Sequence, residues 1–141
     1  MNKQKIIKVF ISEDDPYTRI FLNDIFLVHS KDGSSYKTFM ASTIDEARDY
    51  LAENKPDVAL LDLSMPIHEG TRNETKAGLT LLKELRARAD WKDVPIYICS
   101  GFDDQELKDE AKELGANGYL VKSQFLPKEL IEMVNKAVKI N

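Results

Sequence analysis

The sequence has few of the residues and segments that many functions require. It contains one cysteine, Cys99, so no internal disulfide can form, which favours a reducing compartment. No apolar run approaches the roughly 20 residues of a membrane-spanning helix, and the N-terminus lacks the pattern of a signal peptide. The net charge is −4, without a basic stripe for nucleic-acid phosphates. We therefore predict a cytoplasmic protein that neither inserts into membranes nor binds nucleic acid directly.

The rest of the composition is typical of one folded domain. The chain has 141 residues, 43% of them hydrophobic and 31% charged with both signs mixed, which is enough to bury a core without a disulfide or a metal. No internal repeat, linker or low-complexity tract divides it. We expect residues 1–141 to form a single domain.

Short apolar runs alternate with segments of helical periodicity. The runs of strand length are residues 6–11, 36–41, 58–61, 94–99 and 119–121. The helices are expected to begin near Pro16, Ile44, Leu79, Asp103 and Pro127. Each parallel crossover needs a helix, so this alternation predicts an α/β fold with a five-stranded parallel sheet covered on both faces.

Local signals indicate several helix ends. Asp15 before a proline is a good N-cap, Thr43 and Glu46 form a capping-box pattern, and Gly115 is expected to end the fourth helix. A polar turn is expected over residues 30–35. The mostly apolar stripe interpreted as the core face of the first helix comprises Tyr17, Ile20, Phe21, Asp24 and Ile25.

Reactive side chains follow four of the five apolar runs. They are Glu13, Asp14 and Asp15 after the first run, Asp62 after the third, Ser100 and Gly101 after the fourth, and Lys122 after the fifth. Ligands of parallel sheets bind beyond the carboxyl ends of the strands, so we expect these residues to meet in one pocket.

The chemistry of such a pocket would be phosphoryl transfer. Two carboxylates about 4 Å apart repel by about 4 kcal/mol at an effective dielectric near 20, and a hard divalent cation removes that cost. Ligands that are all oxygens favour Mg²⁺. Asp62 is the candidate nucleophile, because a carboxylate can attack phosphorus and form an acyl phosphate. Lys122 would add positive charge, Ser100 would hydrogen-bond a phosphoryl oxygen, and Gly101 would keep access open.

These motifs resemble the response-regulator receiver family over nearly the whole chain, from Ile6 to about Ile140. The matching stretches are residues 11–16 with Arg19, 60–66, 98–101 and 115–122. The resemblance implies a flavodoxin-like, doubly wound sheet of strand order 2-1-3-4-5. It also implies that a sensor histidine kinase or phosphotransfer protein donates the phosphoryl group from phosphohistidine. The chain would be a phosphoacceptor that assists its own phosphorylation and dephosphorylation, without turnover of a separate substrate.

The resemblance also assigns roles to individual residues. The matching positions are Asp62 for the phosphoryl acceptor, Glu13 and Asp14 for the metal-binding acidic pair, Ser64 for a backbone-carbonyl ligand of the metal, Ser100 for the switch hydroxyl, Lys122 for the active-site lysine and Tyr119 for the aromatic that swings inward on phosphorylation. The face of the fourth helix, fifth strand and fifth helix would contact a downstream protein. A monomer or a phosphorylation-dependent dimer is implied.

The chain departs from the family pattern at three places. Ser123 follows Lys122 where the family usually has proline, and the turn over residues 29–35 is extended. The loop over residues 67–77 is longer than usual and lies beside the acceptor, as a lid or kinase-contact loop or as a tolerated surface insertion. His29 and His68 have no partners at metal-ligand spacing and are interpreted as surface residues.

Other classes of function fit the sequence less well. A flavodoxin-type cofactor binder would need a glycine- or hydroxyl-rich phosphate loop where the acidic residues 13–15 stand. A phosphatase of the haloacid-dehalogenase type would need a second aspartate two positions after Asp62, and Ser64 stands there. The alternative that stays open is a receiver-like interaction module that works without phosphorylation.

Overall fold

A computed structural model of the chain describes residues 5–30 and 34–138. The predicted polar turn over residues 30–35, and with it the extended turn over 29–35, lies partly outside the described residues, because 31–33 are not among them. Ile140, near the expected end of the family resemblance, also lies outside them.

Five strands form one parallel sheet. In chain order they are β1 (Lys5–Ser12), β2 (Ser34–Ala41), β3 (Val58–Asp62), β4 (Ile96–Ser100) and β5 (Gly118–Val121). Their order across the sheet is β2-β1-β3-β4-β5, and every neighbouring pair is parallel. The predicted flavodoxin-like arrangement is confirmed, and each strand begins and ends within two residues of its predicted position.

Helices cover both faces of the sheet. They are α1 (Pro16–Val28), α2 (Ile44–Glu53), α3 (Ala77–Arg86), α4 (Gln105–Glu113) and α5 (Pro127–Ala137), with a short 3₁₀ turn at Ala89–Trp91. The helices α2, α3 and α4 pack their buried side chains against one face, and α1 and α5 pack theirs against the other. Every residue of β3 is buried, because this strand lies at the centre of the sheet between the two helical layers.

The predicted helix-end signals are found at their residues, except that only the Thr43 half of the capping box forms, because the Glu46 carboxylate accepts from the Ser42 N–H instead. The carboxylate of Asp15 accepts a hydrogen bond from the Thr18 N–H at 2.8 Å, and the Thr43 hydroxyl accepts one from the Glu46 N–H at 3.0 Å. Gly115 has a φ of 102°, the left-handed conformation that glycine adopts at low cost after a helix. These local contacts set where each helix begins or ends, and thereby the lengths of the loops at the rim of the sheet.

The predicted core face of α1 is wrong. Four of the five members of the expected stripe are exposed, namely Tyr17 (82%), Ile20 (61%), Phe21 (47%) and Asp24. The residues of α1 that are buried are Leu22, Ile25 and Phe26. Both sets follow helical spacing and share Ile25, so periodicity could not distinguish them. The consequence is an exposed apolar surface on α1, next to the acidic residues that follow β1.

Cys99 is buried on β4, among the side chains that face α1 and α5. Burial raises the pKa of its thiol to about 12, as suits a small core residue. Within residues 5–30 and 34–138, no helix has both the length and the apolar character needed to cross a bilayer. That the chain works in the cytoplasm as a single domain remains a prediction.

Candidate functional site

An acidic pocket lies at the carboxyl ends of the central strands. Parallel pairing aligns Ser12 of β1 with Leu61 of β3, so the residues that follow Ser12 meet Asp62 at the same rim. Carboxylate oxygens of Glu13, Asp14 and Asp62 lie within 4.8 Å of one another. Glu13 and Asp62 are buried and Asp14 is half-buried. The structure therefore brings together the three carboxylates that the sequence pattern predicted to meet.

Lys122 neutralises part of this charge. Its Nζ lies 2.7 Å from Glu13 Oε1 and 3.0 Å from Asp62 Oδ2. Burial lowers the pKa of the amine, but the hydrogen bond to Glu13 and the charges of Asp62 and Glu13 outweigh that effect and raise the pKa above its usual value. The amine is therefore positively charged at neutral pH. Among the described residues, Lys122 is the cation that contacts this group of three carboxylates, so the group keeps an excess of negative charge.

The pKa of Asp62 reflects its burial and the excess of negative charge around it. Burial raises it to about 7, and the charge of Glu13 adds to the rise, while Lys122 opposes it. A cation bound among the carboxylates would lower this pKa again, because it favours the ionised form. The donor set consists of oxygens from three clustered carboxylates, which fits a hard ion such as Mg²⁺.

Ser64 lies next to this cluster and is linked to it by a residue that the sequence pattern did not indicate. The side-chain amide nitrogen of Asn73 donates to Asp14 Oδ2 at 3.1 Å and to the Ser64 carbonyl at 3.4 Å. Asn73 belongs to the long loop over residues 67–77. Nothing in the sequence distinguishes Asn73 from the other polar residues of the loop, so only its position beside the acceptor was predictable.

The long loop is a folded hairpin. Its arms are the two-residue strands Met65–Pro66 and Asn73–Glu74, which pair antiparallel with Pro66 opposite Asn73. At its first end, the Asp45 N–H donates to the Ile67 carbonyl at 3.0 Å, and the Asp45 carboxylate pairs with His68. The hairpin is thereby attached to the start of α2.

The second end of the hairpin is attached to another helix. Lys76, directly before α3, forms an ion pair of 2.8 Å with Glu110 of α4.

The two predicted surface histidines differ in exposure. His68 is exposed, whereas His29 is half-buried and its Nδ1 lies 2.8 Å from the Ile25 carbonyl. This contact holds the His29 ring at the end of α1.

Gly78 allows α3 to begin directly against the acceptor. A Cβ at this position would lie 2.2 Å from the Asp62 carbonyl oxygen, which is far inside contact distance. The Gly78 N–H donates to the Leu63 carbonyl at 2.9 Å. The sequence did contain a signal for this close approach. Glycine lowers helix propensity, so a glycine in the first turn of a helix indicates that a side chain would not fit there. Gly101 differs, because a Cβ there would contact nothing within 4 Å.

The backbone of Phe102, in the loop between β4 and α4, connects the two predicted switch residues. The Ser100 hydroxyl oxygen accepts a hydrogen bond from the Phe102 N–H at 3.0 Å. The Tyr119 hydroxyl donates to the Phe102 carbonyl at 2.8 Å. Ser100 is buried and Tyr119 is half-buried. Both side chains therefore hold the same loop, one from the pocket side and one from β5.

The loop after β5 is formed without the proline that the family usually has. All peptide bonds in the described ranges are trans. The Lys122 N–H donates to the Ser100 carbonyl at 2.8 Å, and the Gln124 N–H donates to the Val121 carbonyl at 2.9 Å. These two backbone bonds position Lys122, with the exposed Ser123 in the turn between them.

Comparisons with known proteins agree with this fold and pocket. The family model for the response regulator receiver domain matches residues 9–135. The chain therefore belongs to the response regulator receiver domain family, as the sequence motifs predicted. Receiver domains are phosphoacceptors that bind Mg²⁺ at an acidic pocket and interact with histidine kinases or phosphotransfer proteins.

Individual relatives cover most of the chain. It is 29% identical to sporulation initiation phosphotransferase F of Bacillus subtilis (strain 168) over 115 residues, which are 82% of this chain and 81% of that relative. It is 31% identical to the receiver domain of the Francisella response regulator 1452, with a TM-score of 0.74 over 94% of this chain and 97% of that one. Several other curated relatives are longer, and the chain spans between 12% and 48% of their length.

A third comparison concerns the fold. The receiver domain of sensor histidine kinase PA1611 from Pseudomonas aeruginosa PAO1 is 20% identical, with a TM-score of 0.75 over 94% of this chain and 98% of that one. Its structure has a magnesium ion coordinated in the active-site cleft.

Proposed function

We propose that the chain is a response regulator that accepts a phosphoryl group on Asp62 from a phosphohistidine donor, in a Mg²⁺-dependent reaction. It then signals through altered contacts with other proteins. The observation that carries this proposal is the cluster of Glu13, Asp14 and Asp62 oxygens within 4.8 Å, with Lys122 bonded to two of the three carboxylates.

The pocket residues have complementary roles in this reaction. Glu13, Asp14, Asp62 and the Ser64 carbonyl would hold the ion. When bound, Mg²⁺ supplies positive charge that offsets the repulsion between Asp62 and an incoming phosphoryl group. Magnesium in the cleft of the PA1611 receiver domain is in keeping with this assignment.

The transfer itself is a displacement at phosphorus. A carboxylate oxygen of Asp62 forms the new O–P bond while the P–N bond of the donor breaks, and the electron pair of that bond stays on the imidazole nitrogen. Lys122 is already charged, and it neutralises the oxygens of the transferring group by moving from its carboxylate partners. Ser100 accepts from the Phe102 N–H, so its own hydroxyl proton is available for a phosphoryl oxygen.

Phosphorylation would be communicated through Phe102. A hydroxyl that turns toward the phosphoryl group pulls the Ser100 oxygen away from the Phe102 N–H, and the loop follows. The Tyr119 hydroxyl then loses its acceptor, the Phe102 carbonyl, and the ring is free to move inward. A groove of about 500 Å³ between α4 and β5, lined in part by Lys108 and Tyr119, would change shape with this motion and present it to a downstream protein.

The exposed apolar face of α1 is suited to contact the donor. The helix begins at Pro16, two residues after Asp14, so a protein that delivers its histidine to Asp62 lies against it. Phe21 of α1 and Lys122 line the same small cavity of about 100 Å³, which joins this face to the pocket. Apolar side chains of this size, exposed beside a polar pocket, are typical of protein contact surfaces.

The decisive experiment measures covalent phosphorylation. The protein is incubated with Mg²⁺ and acetyl phosphate, and its intact mass is determined. We expect one added phosphoryl group, which is absent in Asp62→Asn and when EDTA replaces Mg²⁺. If no adduct forms with acetyl phosphate or with a cognate kinase, the chain is a receiver-like interaction module that works without phosphorylation.

A second experiment separates docking from chemistry. Ile20→Glu places a charge on the exposed α1 face, at a side chain that is 61% exposed. We expect slower transfer from a phosphohistidine donor protein and an unchanged rate with acetyl phosphate. Equal rates for wild type and variant with the protein donor would show that this face does not contact it.

A further inference from the structure

We propose that Asn73 is a positioning residue for the metal site, and that the hairpin over residues 67–77 exists in this chain to supply it. The inference rests on the proposed function, because it concerns the same pocket. The amide nitrogen of Asn73 contacts two of the groups assigned to the ion, Asp14 at 3.1 Å and the Ser64 carbonyl at 3.4 Å. The two ligands come from different loops, one after β1 and one after β3, and the amide joins them.

The chemistry of an amide suits this task. Its nitrogen carries two protons, so one group can donate to both oxygens at once. A carboxylate has a second oxygen and a carbonyl has a second lone pair, so both ligands can bind the amide and an ion together. The amide is neutral and therefore adds no charge to a pocket that already holds three carboxylates and one lysine.

The requirement of the ion makes the spacing of these ligands important. Mg²⁺ demands near-octahedral geometry with short bonds of about 2.0–2.1 Å, so ligands on mobile loops bind it poorly. Asp14 is half-buried and lies in a loop, which leaves its carboxylate free to turn without a partner. A hydrogen bond from Asn73 restricts that rotation before the ion arrives.

The hairpin holds Asn73 in place from both ends. Pairing of Asn73 with Pro66, two residues after Ser64, keeps its backbone next to the β3–α3 loop. The contacts of Asp45 with Ile67 and of Lys76 with Glu110 attach the two ends to α2 and α4. A surface insertion without a role would not need a side chain that reaches Asp14. The geometry therefore favours a structural support of the metal site over both a mobile lid and a neutral insertion.

Metal titration of the full chain tests this inference. Binding of Mg²⁺ and Ca²⁺ is measured by isothermal titration calorimetry for wild type, Asn73→Leu and Asn73→Ala. The leucine is close to isosteric with asparagine, and the alanine leaves the hairpin backbone unchanged. Thr75→Val is the matched control, because it removes a polar group from the same loop at an exposed position. Thermal unfolding in EDTA checks that each variant is folded.

The expected result is a selective loss of magnesium binding. Residues that orient a metal ligand typically change affinity by about 10- to 100-fold, and we expect both Asn73 variants to lose Mg²⁺ affinity in that range while Thr75→Val does not. Ca²⁺ tolerates irregular geometry, so its affinity should fall less and the preference for Mg²⁺ should decrease. A merely structural role of the loop would lower both affinities equally.

Three outcomes would overturn the inference. Mg²⁺ affinity in the Asn73 variants could equal or exceed that of wild type, or Mg²⁺ and Ca²⁺ affinities could fall in parallel, and either result refutes a positioning role. If wild type itself binds no Mg²⁺, the proposed function fails and the inference fails with it. The wild-type titration therefore distinguishes the two failures.

Discussion

The amine of Lys122 lies 2.7 Å from the buried carboxylate of Glu13. This ion pair holds Lys122 at the pocket before any phosphoryl group arrives. Asp62 contacts the same amine at 3.0 Å, so the positive charge of Lys122 is shared between two carboxylates. The acceptor therefore lies in a site that favours its protonated form until a cation is added, and its pKa is raised to about 7 by burial first and by Glu13 second.

Magnesium affinity should depend on pH through Asp62. Protonated Asp62 cannot ligate the ion, so affinity should rise with pH up to about 7, the pKa of this carboxyl in the metal-free protein, and level off above it. The measurement is calorimetric titration between about pH 5.5 and 8.5 in two buffers of different ionisation enthalpy, which also detects the released proton. An affinity that is constant from pH 6 to 8 would contradict the raised pKa, and Asp62→Asn should lack the step.

Asp62 should also make the metal-free fold less stable as the pH rises. Its folded pKa of about 7 lies above the unfolded value of about 3.9, so between these values the native state binds more protons than the unfolded state. The free energy of unfolding therefore decreases from about pH 4 to about pH 7, by at most about 4 kcal/mol at 1.36 kcal/mol per pKa unit.

Asp62→Asn removes this effect, and urea unfolding in EDTA should show a variant more stable than wild type at pH 7.5 but not at pH 4. Saturating Mg²⁺ should stabilise wild type and leave the variant nearly unchanged. Parallel stability profiles for the two proteins across this pH range would refute the prediction.

Gly78→Ala should disturb both stability and the acceptor. The added Cβ would lie 2.2 Å from the Asp62 carbonyl oxygen, so α3 or the end of β3 has to shift. Overpacking of this kind typically costs about 1–3 kcal/mol, measurable as a lower urea midpoint, and phosphorylation by acetyl phosphate should slow. Gly101→Ala is the control for stability, because its Cβ would contact nothing within 4 Å. Equal unfolding free energies for the two variants would contradict the close approach.

Arg86 should stabilise the junction between α3 and the turn before β5. Its guanidinium donates to the Gly115 carbonyl at 2.9 Å, the Trp91 carbonyl at 2.6 Å and Asn117 Oδ1 at 2.9 Å. Arg86→Met removes three charge-assisted hydrogen bonds, while the Trp91 carbonyl and Asn117 Oδ1 keep the N–H groups of Val94 and Ile96 as donors. We expect a loss of about 2–4 kcal/mol in urea unfolding. Arg72→Met, at an exposed position of the hairpin, should change stability by less than about 0.5 kcal/mol. Similar losses in both variants would refute this role for Arg86.

The strands and the ends of the helices were predictable because their signals are local. The run from Val58 to Leu61 has no alternation, which indicated a strand buried on both faces, and all of β3 is buried. Gly115 ends α4 through its own backbone conformation. The meeting of Glu13 with Asp62 was also predictable, because a parallel sheet gathers the residues that follow its strands.

The orientation of α1 and the contact of Asn73 depend on tertiary structure. On α1, the stripe through Ile20 and the stripe through Leu22 are both apolar, and only packing against the sheet selects the second. Asn73 lies 59 residues from Asp14 in the chain, in a loop without periodicity. No local rule connects these two residues, so their contact depends on the tertiary fold and could not be predicted from the sequence.

The alignment of β1 with β3 pairs Ser12 with Leu61 and so brings Asp62 to the same rim of the sheet as Glu13. A slip of one residue would turn the side chains of β3 to the opposite side and separate Asp62 from Glu13. A divalent ion would bind the correct alignment and not the slipped one, so it would stabilise the native pairing by mass action. The ion would then also increase the fraction of correctly aligned chains during refolding.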